Sequence, residues 1–241
     1  MIAIERPSPN HEPRAPGTEI DMIVLHYTGM VDARAALDRL CDPISKVSAH
    51  YLIDEDGTLY ALVPEDRRAW HAGVSYWAGA RDINGLSIGI ELHNPGHESP
   101  LYHPYPEAQM ASLEKLLADI LARRSIPRRR ILGHSDVAPA RKIDPGELFD
   151  WRRLARRGFG LWPEVATEGA GRGEPADPWL RRSQRALSAI GYEIAESGRM
   201  DGESGAVLGA FQRHFRPAQI DGILDMETVL IAENLARQSV F

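Results

Sequence analysis

Short apolar runs alternate with longer amphipathic segments along most of the chain. MIVLHYT (22–28) and LSIGIELHN (86–94) are apolar and rich in β-branched residues, which is typical of buried strands. YLIDEDGTLYALV (51–63) predicts a hairpin, because an Asp-Gly pair supplies a tight turn between two apolar runs. RRRILGH (128–134) predicts a further strand that runs into a loop with two prolines.

Helical periodicity is clearest in PEAQMASLEKLLADILARR (106–124). Pro106 suits a first turn, and apolar side chains at helical spacing form one stripe. ARAALDRL (33–40) predicts a second helix. The mixture of strands and helices predicts an α/β fold with a central mixed β-sheet flanked by helices. Residues 1–19, in contrast, are polar and contain four prolines, which predicts an extended arm without regular structure.

The pattern changes after residue 162. Residues 163–178 are rich in Gly, Pro, Ala and Glu, which indicates a linker. Residues 179–241 predict a small all-α domain of three helices. Its expected helices cover 179–190, 204–215 and 225–237, with a helix stop at Gly191 and an N-cap at Asp225. The larger domain is expected over 1–162.

Composition narrows the class of protein. The 241 residues carry a net charge of −6, so they lack the basic excess expected of a nucleic-acid-binding protein. The sequence contains no run of about eighteen apolar residues, so it predicts no membrane span. The first residues contain no apolar signal-peptide core, so we expect a cytoplasmic protein, or a periplasmic one if a leader has been removed. A single cysteine excludes an internal disulfide, and nothing here implies a protein partner.

The segment GHSDVAPARKIDPG (133–146) contains a His, two Asp, a Lys and an Arg, all of which could take part in catalysis or metal binding. His134 and His26 each end an apolar strand, and strand ends in α/β folds converge at one edge of the sheet. Two imidazoles there favour a metal site, and the single cysteine makes a carboxylate the natural third ligand. Asp136 and Asp144 both remain candidates at this point. The His-x-Asp pattern with Asp136 is that of iron oxygenases, but their jelly-roll fold is disfavoured by the long helix and mixed elements.

Five segments occur in an order that resembles a known family. They are IVLHYTG, SAHYLIDEDG, AWHAG, SIGIELHN and GHSDVAPARKIDPG. Residues 20–160 resemble the zinc-dependent N-acetylmuramoyl-L-alanine amidases of the AmpD/AmiD type, which share a fold with peptidoglycan recognition proteins and a phage lysozyme-amidase. LRRSQRALSAIGY and GAFQRHF resemble the three-helix peptidoglycan-binding domain. The resemblance implies that residues 1–162 form a zinc amidase domain and that residues 179–241 form a peptidoglycan-binding-like domain.

The resemblance also implies roles for individual residues. His26, His134 and Asp144 match the zinc ligands, which leaves Asp136 to shape the loop by capping backbone N–H groups. Glu91 matches the catalytic glutamate and Lys142 the catalytic lysine.

Weaker candidates for substrate contact surround these motifs. They are Trp70, His71, Arg81, Asn84 and His50. For His50 and His71 a hydrogen-bonding role within the fold is an equal alternative, and a large aromatic such as Trp70 is more often part of a core.

The implied activity is hydrolysis of the amide between N-acetylmuramic acid, in its 1,6-anhydro form, and L-alanine of the stem peptide. The expected cofactor is Zn²⁺ and the expected partner is a muropeptide or peptidoglycan fragment. The alternative is a recognition protein that binds muropeptide without cutting it. Measuring the metal content would distinguish the amidase from the recognition protein. An iron oxygenase would instead need iron and a 2-oxo acid.

Overall fold

A computed structural model of the chain describes residues 2–165 and 177–239. The expected linker over 163–178 falls mostly outside this part. The strands are β1 (Ile4–Glu5), β2 (His11–Pro13), β3 (Met22–Tyr27), β4 (Tyr51–Ile53), β5 (Leu59–Ala61), β6 (Arg67–Ala69), β7 (Ser87–Leu92) and β8 (Ile131–Gly133). The helices are α1 (Ala33–Cys41), α2 (Ile83–Leu86), α3 (Glu107–Arg123), α4 (His134–Val137), α5 (Trp151–Arg156), α6 (Asp177–Ile190), α7 (Gly202–Phe215) and α8 (Met226–Gln238).

A mixed sheet forms the centre of the larger domain, with strand order β1-β5-β4-β7-β3-β8. Strands β4, β7, β3 and β8 run parallel, and β4 and β5 form the predicted antiparallel hairpin. Ile23 and Leu25 of β3 pack on the same side as α3, whereas Met22 and Val24 face the opposite side. This alternation buries both faces of the central strand, as parallel strands require. The predicted fold class is confirmed.

The helices of residues 177–239 pack onto the larger domain. One apolar cluster contains Val24 and Leu132 of the sheet together with Leu187 and Phe211 of the helical part. Helices α6, α7 and α8 match the three predicted ones, and Asp225 is the N-cap of α8, where its side chain accepts from Thr228 N–H. Within the described residues, no helix is both long and apolar enough to cross a bilayer.

Two local predictions were wrong. The N-terminal arm is not irregular, because β1 pairs with β5 and β2 pairs with β6. Arg14 holds the end of this arm by donating to the carbonyls of Glu65, Gly85 and Ser87. These partners lie far along the chain, so no local pattern in the arm predicts them.

The second correction concerns His134, which begins the short helix α4 instead of ending a strand. Strand β8 stops at Gly133, whose extended backbone is the N-cap of α4. His134 therefore leaves the sheet on a helical turn, and residues that follow it point in different directions around that turn.

Candidate metal centre and cleft

The carboxyl ends of β3, β7 and β8 meet at one edge of the sheet. His26 of β3 lies opposite Glu91 of β7 in the parallel register, so both side chains lie on the same face. Leu25 pairs with Gly133, and the next residue, His134, therefore reaches the same edge. Parallel pairing brings these three side chains together from widely separated segments.

His26, His134 and Asp144 form a tight buried group. The Nδ1 atoms of His26 and His134 are 2.9 Å apart, and Oδ2 of Asp144 lies 3.1 and 3.0 Å from them. All three side chains are buried. Two imidazole nitrogens and one carboxylate oxygen directed at one point are the donor set of a catalytic zinc site with an open fourth position. The described residues thus contain a group that could hold a metal ion.

Asp136 does not join this group. It lies two residues after His134 on the α4 turn, which places the two side chains on nearly opposite sides of the helix. Its Oδ2 accepts from the Gly133 N–H at 2.7 Å, which is the capping contact expected of it. Of the two aspartates that the residues alone left open, the structure brings Asp144 to the histidines.

The histidines are oriented by buried outer contacts. His26 Nε2 lies 3.1 Å from His71 Nδ1, and His71 Nε2 lies 3.2 Å from the Ser87 hydroxyl, which donates to the Ile83 carbonyl. If Nδ1 of His26 carries a metal, its Nε2 must carry the proton and donate to His71. His134 Nε2 lies 3.0 Å from the Ala72 carbonyl, to which it can donate in the same way.

Sequence reasoning allowed His71 a hydrogen-bonding role within the fold but did not identify His26 as its partner, although one signal pointed to this contact. Gly89 sits inside the otherwise apolar strand β7, and a glycine within a strand often marks a close approach. A Cβ atom added there would lie 2.4 Å from the His71 ring. The glycine therefore makes room for the imidazole beside His26.

The charges in the group favour metal binding at neutral pH. Burial, and then the neighbouring His134, lowers the pKa of His26 to about 4, so its nitrogen lone pair is available. Burial alone would raise the pKa of Asp144, but His134 and His26 outweigh it and lower that pKa below the ordinary value. The neutral imidazole of His26 beside the Asp144 carboxylate is a combination that binds a cation.

Glu91 and Lys142 border the group. Glu91 is half-buried, and its Oε2 is buried with no hydrogen-bond partner among the described residues. Burial, followed by the charge of Asp144, raises the pKa of Glu91 well above its usual value, and Lys142 partly opposes this shift. Lys142 is partly exposed, and its ammonium group has no hydrogen-bond or ion-pair partner among residues 2–165 and 177–239. Both groups are therefore free to meet a ligand.

A cleft of about 680 Å³ opens over these residues. The two histidines, Asp144, Glu91 and Lys142 all line it, as do Trp70 and His71. Lys142 and Asp144 both reach it from the loop that follows α4. The cleft therefore brings together the Glu91 carboxyl group, the Lys142 ammonium group and the candidate metal centre.

Three of the weaker candidates lie outside this cleft. Arg81 pairs with Glu193 of the helical part. Asn84 is buried, and its Oδ1 accepts from the backbone N–H groups of His71 and Ala72, so it supports the loop that carries His71. His50 is fully buried and accepts from the Gly89 N–H. Each has a role within the fold that does not require substrate.

Known proteins match both parts of the chain in sequence. Residues 16–147 match the family of N-acetylmuramoyl-L-alanine amidases, and residues 179–231 match a putative peptidoglycan binding domain. The chain is 38% identical to the N-acetylmuramoyl-L-alanine amidase AmiD of Escherichia coli K12, over 90% of this chain and 82% of AmiD. It is 37% identical to the 1,6-anhydro-N-acetylmuramyl-L-alanine amidase AmpD of Haemophilus influenzae, over 61% of this chain and 86% of AmpD.

Solved structures extend the similarity to the whole fold. One is a complex of E. coli AmiD with anhydro-N-acetylmuramic acid-L-Ala-D-gamma-Glu-L-Lys, which matches with a TM-score of 0.81 and 37% identity over 93% of this chain and 92% of that one. Another is AMPDH3 of Pseudomonas aeruginosa with anhydromuramic pentapeptide, with a TM-score of 0.77 and 31% identity over 99% of each chain. The chain belongs to the N-acetylmuramoyl-L-alanine amidase family.

Proposed function

We propose that this protein is a zinc-dependent amidase of peptidoglycan recycling. Its substrate would be a muropeptide, in which it hydrolyses the amide between 1,6-anhydro-N-acetylmuramic acid and L-alanine. The observation that carries the proposal is the convergence of His26, His134 and Asp144 beside Glu91 and Lys142 in one cleft. The anhydromuramyl peptides in the two related complexes support the choice of substrate.

In this proposal, His26, His134 and Asp144 hold the zinc. Bound there, Zn²⁺ would supply Lewis-acid chemistry, which lowers the pKa of water and polarises a carbonyl group. The chain supplies two imidazoles and a carboxylate, with His71 beside the outer nitrogen of His26 and the Ala72 carbonyl beside that of His134. Precise orientation of ligands by such outer contacts is a general requirement of metal sites.

Glu91 is proposed to move the proton. Its carboxylate takes a proton from the attacking water and delivers it to the leaving amine, which is worth roughly 10²–10⁴-fold in rate. Its raised pKa stems from burial and from the charge of Asp144, and a cation bound to Asp144 would offset the second cause. The unpartnered Oε2 leaves a lone pair free for this proton.

Lys142 is proposed to stabilise the oxyanion that forms when water adds to the amide carbonyl. Its ammonium group lines the cleft and has no competing carboxylate partner in the described residues. A positive charge that the protein places next to the reacting carbonyl stabilises such an anion as it forms.

The test compares an anhydro-muramoyl tripeptide with its reducing-end N-acetylmuramoyl counterpart. The zinc-loaded protein is incubated with each, and free peptide is measured by mass spectrometry alongside metal content. We expect cleavage of the anhydro substrate, one zinc per chain at saturation, and loss of turnover in Glu91→Gln. Glu19→Gln, an exposed glutamate outside the cleft, is the matched control.

Other outcomes would reassign the function. Cleavage of both substrates would indicate a broader amidase. Binding of muropeptide without cleavage, with Glu91→Gln behaving as wild type, would favour a recognition protein. Iron at the site with a need for a 2-oxo acid would favour an oxygenase.

We also propose the division into an amidase domain (1–162), a linker (163–178) and a peptidoglycan-binding-like domain (179–241). The two family matches fall inside the first and third of these segments. The cytoplasmic location stays a prediction, and cell fractionation with detection of the full chain tests it.

A further inference from the structure

Asp136 connects the candidate metal centre to the helical domain. It is 1% exposed, and three donors reach its carboxylate. The Gly133 N–H and the His214 Nδ1–H donate to Oδ2 at 2.7 Å each, and the Tyr192 hydroxyl donates to Oδ1 at 2.5 Å. Two of the three donors therefore come from residues 177–239.

The two helical-domain donors are held rigidly. The His214 ring stacks on Trp151 at 3.7 Å and on Phe215 at 3.8 Å between ring centroids, with planes 19° and 9° apart. The Tyr192 ring is fully buried and meets Trp77 edge to face at 4.9 Å. Donors fixed by packing lose little further entropy when they bond, so they hold an acceptor in one place.

Asp136 in turn holds the turn that carries the metal ligands. Helix α4 has four residues, His134 is the first of them, and Asp136 anchors its N-cap through the Gly133 N–H. The Ser135 N–H donates to the Asp144 carbonyl at 2.9 Å, so the same turn is tied to the segment of the third ligand. A shift of α4 would move His134 and Asp144 together.

We propose that Tyr192 and His214 are positioning residues for the metal centre. Through Asp136, they fix the turn that sets the spacing of His134 and Asp144. The helical domain thereby completes the metal site of the larger domain, in addition to any contact with cell wall. The identity of the metal as zinc rests on the proposed function.

The test uses the full chain with Tyr192→Phe, which removes one hydroxyl and keeps the ring. Zinc affinity is measured by competition with a chromophoric chelator, and site geometry by the visible absorption of the Co²⁺-loaded protein. We expect the zinc Kd to rise about 10-fold, by analogy with the loss of outer-shell contacts at other metal sites. The Co²⁺ bands should shift, and kcat should fall with KM unchanged.

Glu193→Gln is the matched control. It alters the neighbouring residue and breaks the ion pair with Arg81 between the same two domains, but it does not contact Asp136. We expect its zinc Kd and Co²⁺ spectrum to equal those of wild type. His214→Phe is a second variant that keeps the stacked ring and loses the donor, and it should reproduce the effect of Tyr192→Phe.

Asp136→Asn distinguishes action through Asp136 from general destabilisation. If Tyr192 acts through Asp136, adding Tyr192→Phe to Asp136→Asn should raise the zinc Kd less than it does in wild type. The inference is overturned if both Tyr192→Phe and His214→Phe lower the melting temperature but bind zinc and Co²⁺ as Glu193→Gln does. A wild-type chain that binds neither metal would overturn the proposed function as well, so the two failures are distinguishable.

Discussion

Replacing His71 by Phe should weaken zinc binding, because it removes the acceptor for the outer nitrogen of His26. With zinc on Nδ1, the proton of His26 must sit on Nε2, 3.1 Å from His71 Nδ1. His26 is 2% exposed, so water cannot readily replace that acceptor. In the metal-free protein, His26 can instead carry its proton on Nδ1 and donate to Asp144 at 3.1 Å. The cost therefore falls mainly on the metal-bound state.

The structure sets the size of this effect. A buried donor left without an acceptor costs about 1–3 kcal/mol. Since about 1.4 kcal/mol corresponds to a factor of ten, the zinc Kd should rise roughly 5- to 150-fold. Loss of comparable outer contacts at other metal sites costs about 10–100-fold, which lies within the same range.

The assay is a chelator competition on the full chain with three variants. His71→Asn is the matched control, because its amide oxygen can take the position of Nδ1 as acceptor, and it should keep most of the affinity. Gly89→Ala tests the same contact from the other side, since the added Cβ would lie 2.4 Å from the His71 ring and displace it. The reasoning is refuted if His71→Phe binds zinc as tightly as wild type while its metal-free form is less stable.

Three further predictions concern the cleft, the pH dependence of stability and the packing of the helical domain. Lys142→Met should lower kcat about 10²–10³-fold and leave the zinc content unchanged, which steady-state kinetics and metal analysis would measure. A change in KM alone would contradict a role of Lys142 in oxyanion stabilisation. Glu65→Gln should lower the free energy of unfolding by about 1–3 kcal/mol at pH 7. Burial alone would raise the Glu65 pKa, but hydrogen bonds from two arginines lower it below its ordinary value of 4.5. The stability that Glu65 contributes is therefore fully present above pH 4.5 and is lost as the pH falls through the folded-state pKa. The free energies of unfolding of wild type and Glu65→Gln, measured by denaturant titration, should therefore converge in acid. A difference that does not depend on pH would exclude the Glu65 charge as its source. Gly191→Ala should destabilise the protein, since φ is +137° and the added Cβ would lie 2.5 Å from Trp77, and an unchanged melting temperature would show that this contact relaxes freely.

Local pattern was sufficient for the regular elements. The apolar runs of β3 and β7, the Asp-Gly turn of the hairpin and the stripe of α3 all predicted elements that the structure contains within one or two residues. These signals are short-range, because they depend on side-chain periodicity and on turn residues within a few positions. The family resemblance identified the expected zinc ligands, together with Glu91 and Lys142, because each of these residues lies within a short sequence motif that matches the family.

The tertiary structure decided what depends on distant segments. From the residues alone, Asp136 and Asp144 both remained candidates. The α4 turn directs Asp136 to Tyr192 and His214, whereas Asp144 reaches the histidines from the loop that follows α4. The N-terminal arm contains strands because β1 pairs with the edge strand β5 of the central sheet and β2 pairs with β6 in a separate two-stranded sheet, while Arg14 donates to carbonyls elsewhere in the chain.

The same holds for the surroundings of the site. His71 contacts His26, and Arg81 pairs with Glu193 outside the cleft, and both contacts join segments far apart in sequence. The sequence by itself therefore determined which elements form and which residue types can carry the chemistry. Which of those residues meet, and at what distance, was decided by long-range packing, because a hydrogen bond between distant segments leaves no periodic trace along the chain.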